Sequence, residues 1–188
     1  MIRECILTTV CATGDPHIAP LGIIARGEEA GAGWTIAPFH PSTTLTNLRQ
    51  TGIAVANYTD DVLIFAGCLT GRRDWPLLPV GGYPVPRLAG ALAHDVLVVD
   101  ALEDDEIRPR FHCRVAASGQ HAPFEGMNRA RAAVLELAIL VSRLHMLPPD
   151  KIAAEIAYLS IAVDKTAGPR ERLAWDWLMA RVADHAGG

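Results

Sequence analysis

The segment with the most chemical content is Ala37-Pro38-Phe39-His40-Pro41-Ser42-Thr43-Thr44. Its apolar start, its prolines and its run of hydroxyls predict an extended stretch that passes directly into the first turn of a helix. Such a turn has N–H groups without partners inside the helix and carries a partial positive charge, so it can hold an anion. Ser42, Thr43 and Thr44 add hydroxyl donors at the same place, which suits a phosphate. The same residues also fit a plainer role, in which Ser42 caps the helix and the threonines face water. A second junction of this kind is Val55-Ala56-Asn57-Tyr58-Thr59-Asp60. There Asn57 and Thr59 stand where a strand gives way to a helix. Their polar groups could bond the edge of a planar heterocycle, or close an Asx or Ser/Thr turn.

A third segment is Thr13-Gly14-Asp15-Pro16-His17-Ile18-Ala19-Pro20-Leu21-Gly22. Gly14 and Pro16 mark a hairpin turn. Pro20 has no N–H to give to a ladder, so its strand belongs at an edge or a bulge, where a ligand can approach. The histidines are dispersed, and His17 and His40 are the two nearest this prospective pocket. His112 and Cys113 are neighbours, so on a strand they point to opposite faces and cannot chelate one ion together. No metal site is expected. A Cys/His nucleophile pair is not supported either, since nothing near the thiols would activate them. There is no GxGxxG and no Walker loop, which removes the Rossmann and P-loop routes to a nucleotide.

The elements that must position these residues change character near residue 125. Before it, short β-rich runs alternate with Gly, Pro and Asp. Strands are predicted over 5–11, 17–25, 34–39 and 53–58, with a Gly/Glu loop over 26–33. A short helix follows Pro41, capped by Ser42 and ended by Gly52, and another covers 62–68 after Thr59-Asp60-Asp61. Residues 70–90 contain Pro76, Pro79, Pro84 and Pro86 with Gly81 and Gly82, and are expected to form a long surface loop. A hairpin of long strands over 92–102 and 107–117 turns at Glu103-Asp104-Asp105-Glu106. Beyond residue 125 the period becomes helical: Val134, Leu137, Val141 and Leu144, then Ile152, Ile156, Leu159 and Val163, then Leu173 and Trp177. Pro148-Pro149 and Gly168-Pro169 separate these three helices. The expectation is an α+β protein, with a small six-stranded, closed or nearly closed barrel over 1–124 and a helical segment over 125–188 packed on it.

Composition narrows the partners. A formal net charge of −4 without a Lys/Arg cluster argues against nucleic acid and anionic membranes. The four cysteines, Cys5, Cys11, Cys68 and Cys113, show neither CxxC nor zinc spacing, and fit unbonded thiols in a reducing cytoplasm. The opening MIRECILTTV carries charges where an export signal would carry its apolar run. The longest apolar stretch, 132–141, is interrupted by Glu136 and is too short to span a bilayer.

Taken together and in this order, the segments resemble the FMN-binding split-barrel superfamily of flavin reductases and pyridoxamine-phosphate-oxidase-like proteins. Thr8-Thr9-Val10 through Gly22 looks like its opening hairpin. Pro38 through Leu48 and Asn57-Tyr58-Thr59-Asp60-Asp61-Val62 more closely resemble the DUF447 family of that superfamily, found in archaea and in methylotrophic bacteria. So do Asn128 through Val134, Leu144-His145-Met146-Leu147-Pro148-Pro149 and Lys165 through Glu171. The likeness covers nearly the whole chain; the Pro-rich stretch 75–87 is less regular than the family pattern, and nothing is carried over there. The resemblance implies a six-stranded antiparallel split barrel, a homodimer, and FMN at its interface. The phosphate would lie by Ser42, Thr43 and Thr44, and the rest of the cofactor by Thr9, Pro20, Leu21, Gly22, His40, Asn47, Asn57 and Thr59. The implied activity is that of a flavin-dependent oxidoreductase or flavin reductase, passing hydride between a nicotinamide and flavin or a small substrate. Alternatives are a non-catalytic flavin-binding, storage or sensing protein, and an empty fold whose helices form an interaction surface. The methylotroph setting of the family adds a pterin-like small molecule to the partners the resemblance implies.

Overall fold

The computed structural model describes residues 1–27 and 32–187, so half of the loop expected over 26–33 lies outside the described residues. The chain divides into two compact units, one of Met1–Thr59 with Trp75–Pro123, the other of Asp60–Asp74 with Phe124–Gly188. The helical pattern beyond residue 125 is therefore joined by a short internal segment that the sequence assigns to the strand region.

The first unit contains β1 (Ile2–Val10), β2 (Pro16–Ala25), β3 (Trp34–Ile36), α1 (Thr43–Thr51), β4 (Ile53–Tyr58), β5 (Leu77–Val80), β6 (Tyr83–Leu88), β7 (Ala93–Glu103) and β8 (Arg110–Gln120). Six of these strands close a barrel in the order β1-β2-β3-β8-β7-β4, with every pair antiparallel. Alternation along the strands sorts side chains between two cores. On β4, Ala54 and Ala56 join Leu7, Ile23, Leu97 and Phe111, while Ile53 and Val55 join Val10, Val85 and Val96. Leu45 and Leu48 of α1 belong to the first cluster. Burying each leucine contributes about 1.5–3 kcal/mol, which seats the helix and so fixes its first turn. The third strand stops at Ile36, three residues short of the expected end; Pro38 and Pro41 lie just beyond, where a ladder would need N–H donors.

The loop expected over 70–90 is a correction. It is largely a hairpin, with Leu77 opposite Leu88 and Val80 opposite Tyr83, turning through Gly81 and Gly82. Gly82 has φ 81°, the left-handed region that glycine enters without steric cost. Prolines exclude a central strand but not a two-stranded ribbon, where each strand has a free edge. Pro79 falls at the bulge between Leu78 and Val80. Val85 and Leu88 are buried, and Val85 closes the second core against β1, β4 and β7.

The second unit contains α2 (Val62–Leu69), α3 (Arg129–Val141), a 3-10 turn at Leu144–Met146, α4 (Pro149–Thr166) and α5 (Pro169–Ala186). Seven of the eight residues of α2 are buried, and it packs against α3 and α5. The first C-terminal helix ends at Val141 and not at the prolines, the 3-10 turn filling the interval. Three sequence motifs meet here. Asn128 caps α3 through the amides of Ala130 and Arg131, and its side chain donates to the Thr166 carbonyl at 3.1 Å. Arg131 pairs with Asp60 and, at 2.9 Å, with Glu171, whose other oxygen accepts from the Gly168 amide at 3.0 Å. Arg170 pairs with Asp61. No helix among the described residues is long and apolar enough to cross a membrane.

Candidate functional site

The first turn of α1 is an open set of donors. Ser42 is the N-cap; its Oγ accepts from the Leu45 amide at 3.2 Å, and its carbonyl accepts from the Thr46 amide. Two amides of the first turn, those of Thr43 and Thr44, are left without these partners. The Ser42 hydroxyl keeps its own proton to donate. Thr43 is exposed. Thr44 is only 5% exposed, yet its hydroxyl has no hydrogen-bond partner among the described residues and is not sealed from solvent. First-turn carboxylates, which would compete with an anion, are absent from α1.

The approach to this turn is braced. The His40 amide donates to the Ile107 carbonyl at 2.9 Å, and the His40–Pro41 peptide is cis. Arg108 donates through Nε to the Ala37 carbonyl at 2.8 Å, and its guanidinium lies 4.7 Å from the centre of the exposed Phe39 ring. A concavity of about 430 Å³ is lined by His40, Arg49, Asp104, Asp105 and Glu106. Its lining is predominantly acidic, so it repels a phosphate, and Arg49 is taken by Asp104 at 2.6 Å.

The other residues singled out from sequence are placed as follows. Thr9 and Asn47 are buried and bonded to each other, the Asn47 amide donating to the Thr9 hydroxyl at 3.0 Å, which ties α1 to β1. Pro20, Leu21 and Gly22 lie on β2 opposite Ile6, Cys5 and Glu4. Among the described residues β2 pairs with β3 only at Ile24 and Ala25, so Pro20 runs along an edge. A Cβ at Gly22 would stand 2.9 Å from both Glu4 Oε1 and Ile2 Cγ2, side chains of the paired strand β1 that crowd the face of β2 at that position. Asn57 is fully buried: its Nδ2 donates to the Ile6 carbonyl and the Thr8 hydroxyl at 2.9 Å and to the Val55 carbonyl at 3.2 Å. Its Oδ1 accepts from the Leu88 amide at 2.7 Å. The amide is thus committed to holding β6 on the barrel, and a ligand would have to displace one of these bonds. Thr59 is half-buried at the end of β4. Structure therefore gathers Ser42, Thr43, Thr44 and the preceding His40 at one turn, while Thr9, Asn47 and Asn57 face protein partners.

Sequence reasoning missed Arg108, because nothing in its spacing shows that the turn after β7 reaches back to Ala37 and Phe39. It also missed Asp95, whose carboxylate accepts from Tyr58 at 2.7 Å, Trp34 at 3.3 Å and Ser118 at 2.6 Å. Burial and that neighbouring carboxylate push the Tyr58 phenol well up. Arg3 covers the same aromatic pair, 5.2 Å from the Trp34 ring and 5.9 Å from Tyr58. His112 bonds Thr35 at 3.0 Å while Cys113 lies in the core. Burial pushes the Cys68 thiol up to about 11 and Cys113 up to about 12, so neither is an activated nucleophile. The described residues contain no group of three or more His, Cys, Asp or Glu placed to hold a metal.

Comparison with known proteins adds the following. The family model described as "Protein of unknown function (DUF447) N-terminal domain" matches residues 3–122, and the model "Protein of unknown function (DUF447)" for the C-terminal domain matches residues 128–180. Among solved structures, an FMN-bound DUF447 protein from Methanosarcina mazei is similar with a TM-score of 0.80 and 21% identity, over 96% of this chain and 94% of that one. A flavoredoxin from Methanosarcina acetivorans is similar over 64% of this chain and 69% of its own, with a TM-score of 0.55 and 14% identity. An NADH:FAD oxidoreductase from Streptomyces globisporus is similar over 63% of this chain and 75% of its own, with a TM-score of 0.51 and 12% identity. At these identities the likeness is one of fold. No curated protein matches.

Proposed function

The chain belongs to the DUF447 family, and from that premise we propose that it is a flavoprotein that binds FMN and acts as an oxidoreductase. The observation that carries the reading is the first turn of α1, with the free amides of Thr43 and Thr44 and the hydroxyls of Ser42, Thr43 and Thr44 on one site. A phosphate monoester fits such a site because each donor can reach a different oxygen of one dianion. The FMN-bound relative from Methanosarcina mazei supports the choice of cofactor. The flavoredoxin and the NADH:FAD oxidoreductase support a redox role with a nicotinamide as donor.

In this reading FMN, when bound, supplies two-electron redox chemistry, and the chain supplies position and electrostatics. Ser42, Thr43 and Thr44 anchor the phosphate, and the unpaired edge of β2 at Pro20, Leu21 and Gly22 borders the cofactor. Asn57 and the Thr9–Asn47 pair act one layer behind, holding β1, β4, β6 and α1 in place. A second copy of the chain completes the pocket, and the protein works in a reducing cytoplasm where its thiols stay unbonded. The chemistry a bound flavin would supply here is hydride exchange with a nicotinamide or a small substrate.

The test is to purify the protein, record its visible absorption, and add NADH and NADPH anaerobically. Flavin bands that bleach with either nicotinamide are expected. Bound flavin that neither nicotinamide reduces would make the chain a binding or sensing protein, and absence of any flavin affinity would overturn the reading altogether.

A further inference from the structure

We propose that Arg108 is the cation that pairs with the phosphate at the first turn of α1, and that it selects phosphorylated flavin over riboflavin; this rests on the FMN reading above. A negatively charged chain cannot draw a dianion by its overall field, and the turn that follows β7 makes matters locally worse with Asp104, Asp105 and Glu106. A local cation is needed. Arg49 belongs to α1 itself but sits in its last turn and is neutralised by Asp104 at 2.6 Å. Arg108 is differently disposed. Its Nε is spent on the Ala37 carbonyl, and the face of its guanidinium rests on Phe39, two interactions that fix the group's orientation. The two terminal nitrogens have no hydrogen-bond partner among the described residues.

The surroundings keep Arg108 from collapsing onto the nearest carboxylates. Asp104 is occupied by Arg49. Asp105 accepts the amides of Ile107 at 2.9 Å and of Arg108 at 2.6 Å. The bond from the His40 amide to the Ile107 carbonyl then holds the backbone just before Arg108 beside the residue that leads through Pro41 into Ser42. A preorganised guanidinium with a free two-nitrogen fork matches two oxygens of a phosphate. Beside these donors Thr44, nine-tenths buried, keeps a hydroxyl that no described residue engages and that stays open to solvent, so it is free to donate to a phosphate oxygen at the same turn.

The experiment is titration of the flavin-free protein with FMN and, separately, with riboflavin, in wild type, Arg108→Gln, Arg108→Lys and the triple variant Ser42→Ala/Thr43→Ala/Thr44→Ala. The expected result is an FMN affinity lower by about tenfold to a hundredfold in Arg108→Gln, one to two charge-assisted hydrogen bonds' worth. Riboflavin affinity should stay within about twofold, Arg108→Lys should recover part of the loss, and the salt dependence of FMN binding should flatten in Arg108→Gln. Arg108 is exposed, so its loss should leave the fold intact. If the triple variant loses FMN while Arg108→Gln binds it like wild type, the phosphate site stands and the role of Arg108 is refuted. Equal losses for FMN and riboflavin in Arg108→Gln also refute it, because the side chain then serves the fold or the ring. If wild type binds neither flavin, both readings fall.

Discussion

At the scale of single residues, Asn57 shows how a polar group at a strand end can be committed to bracing backbone. Its amide uses both donor hydrogens and its acceptor, bridging β1 and its own strand to the Leu88 amide of β6. Asn57→Ala removes these bonds and takes away the acceptor of the Leu88 amide and the side-chain donor to the Ile6 carbonyl and Thr8 hydroxyl. A loss of about 2–4 kcal/mol is expected, since each orphaned buried group costs about 1–3 kcal/mol. Urea unfolding followed by circular dichroism measures it, and a change under about 0.5 kcal/mol would refute the bracing role. The sequence marks Asn57 as a polar residue where a strand ends. Whether such an amide faces a ligand or braces backbone depends on which segment crosses over it, and here that segment arrives some thirty residues later. Ser42 was legible because a helix cap is decided by its own neighbours in sequence. Arg108 was not, because its partners Ala37 and Phe39 are brought to it by the barrel.

At the scale of elements, the β5–β6 hairpin is the main departure from expectation. The prolines of residues 76–86 predict irregular structure, yet a ribbon with two free edges tolerates them, and Gly81-Gly82 supplies its turn. Beside this hairpin, His94 Nδ1 and His121 Nε2 are 2.8 Å apart with ring planes 5° from parallel. A neutral pair makes a good N–H···N bond; two imidazolium ions cannot. Close approach is enforced at Gly119, where a Cβ would stand 2.6 Å from His94 Cε1. Burial, then the neighbouring His121 and Arg87, hold His94 below the ordinary 6.5 against the opposite pull of Asp95. Burial and Arg87 act in the same direction on His121. Below that ordinary value the unfolded chain therefore binds more protons than the folded one. Stability should be fullest above pH 6.5 and fall as pH drops through and below it. Thermal unfolding of wild type and His121→Gln between about pH 7 and pH 5 tests this. Wild type should lose more stability across that range, and parallel curves would show that the pair contributes nothing.

At the scale of the whole molecule, the chain is a closed six-stranded barrel with an added ribbon, and a helical unit that recruits α2 from within the strand region. The sequence showed both halves through their periods, but not that α2 belongs with the helices. Its eight residues are too few for a reliable period, and nearly all are buried. The ions that hold its start, Arg131 and Arg170, lie far along the chain. The unpaired stretch of β2 exposes backbone that a second copy would cover. Sedimentation at micromolar concentration is expected to show a dimer, and a monomer there would contradict the shared pocket. The central claim is that a phosphate sits on the first turn of α1, and the most direct measurement compares FMN and riboflavin binding in wild type and in Ser42→Ala/Thr43→Ala/Thr44→Ala. Hydrogen bonds to a charged group contribute about 1.5–3 kcal/mol each, so the triple variant should bind FMN about two to five orders of magnitude more weakly, with some recovery from water that fills the gap. Riboflavin, which lacks the phosphate, should lose little. A triple variant that binds FMN as tightly as wild type would put the phosphate somewhere else and contradict the account.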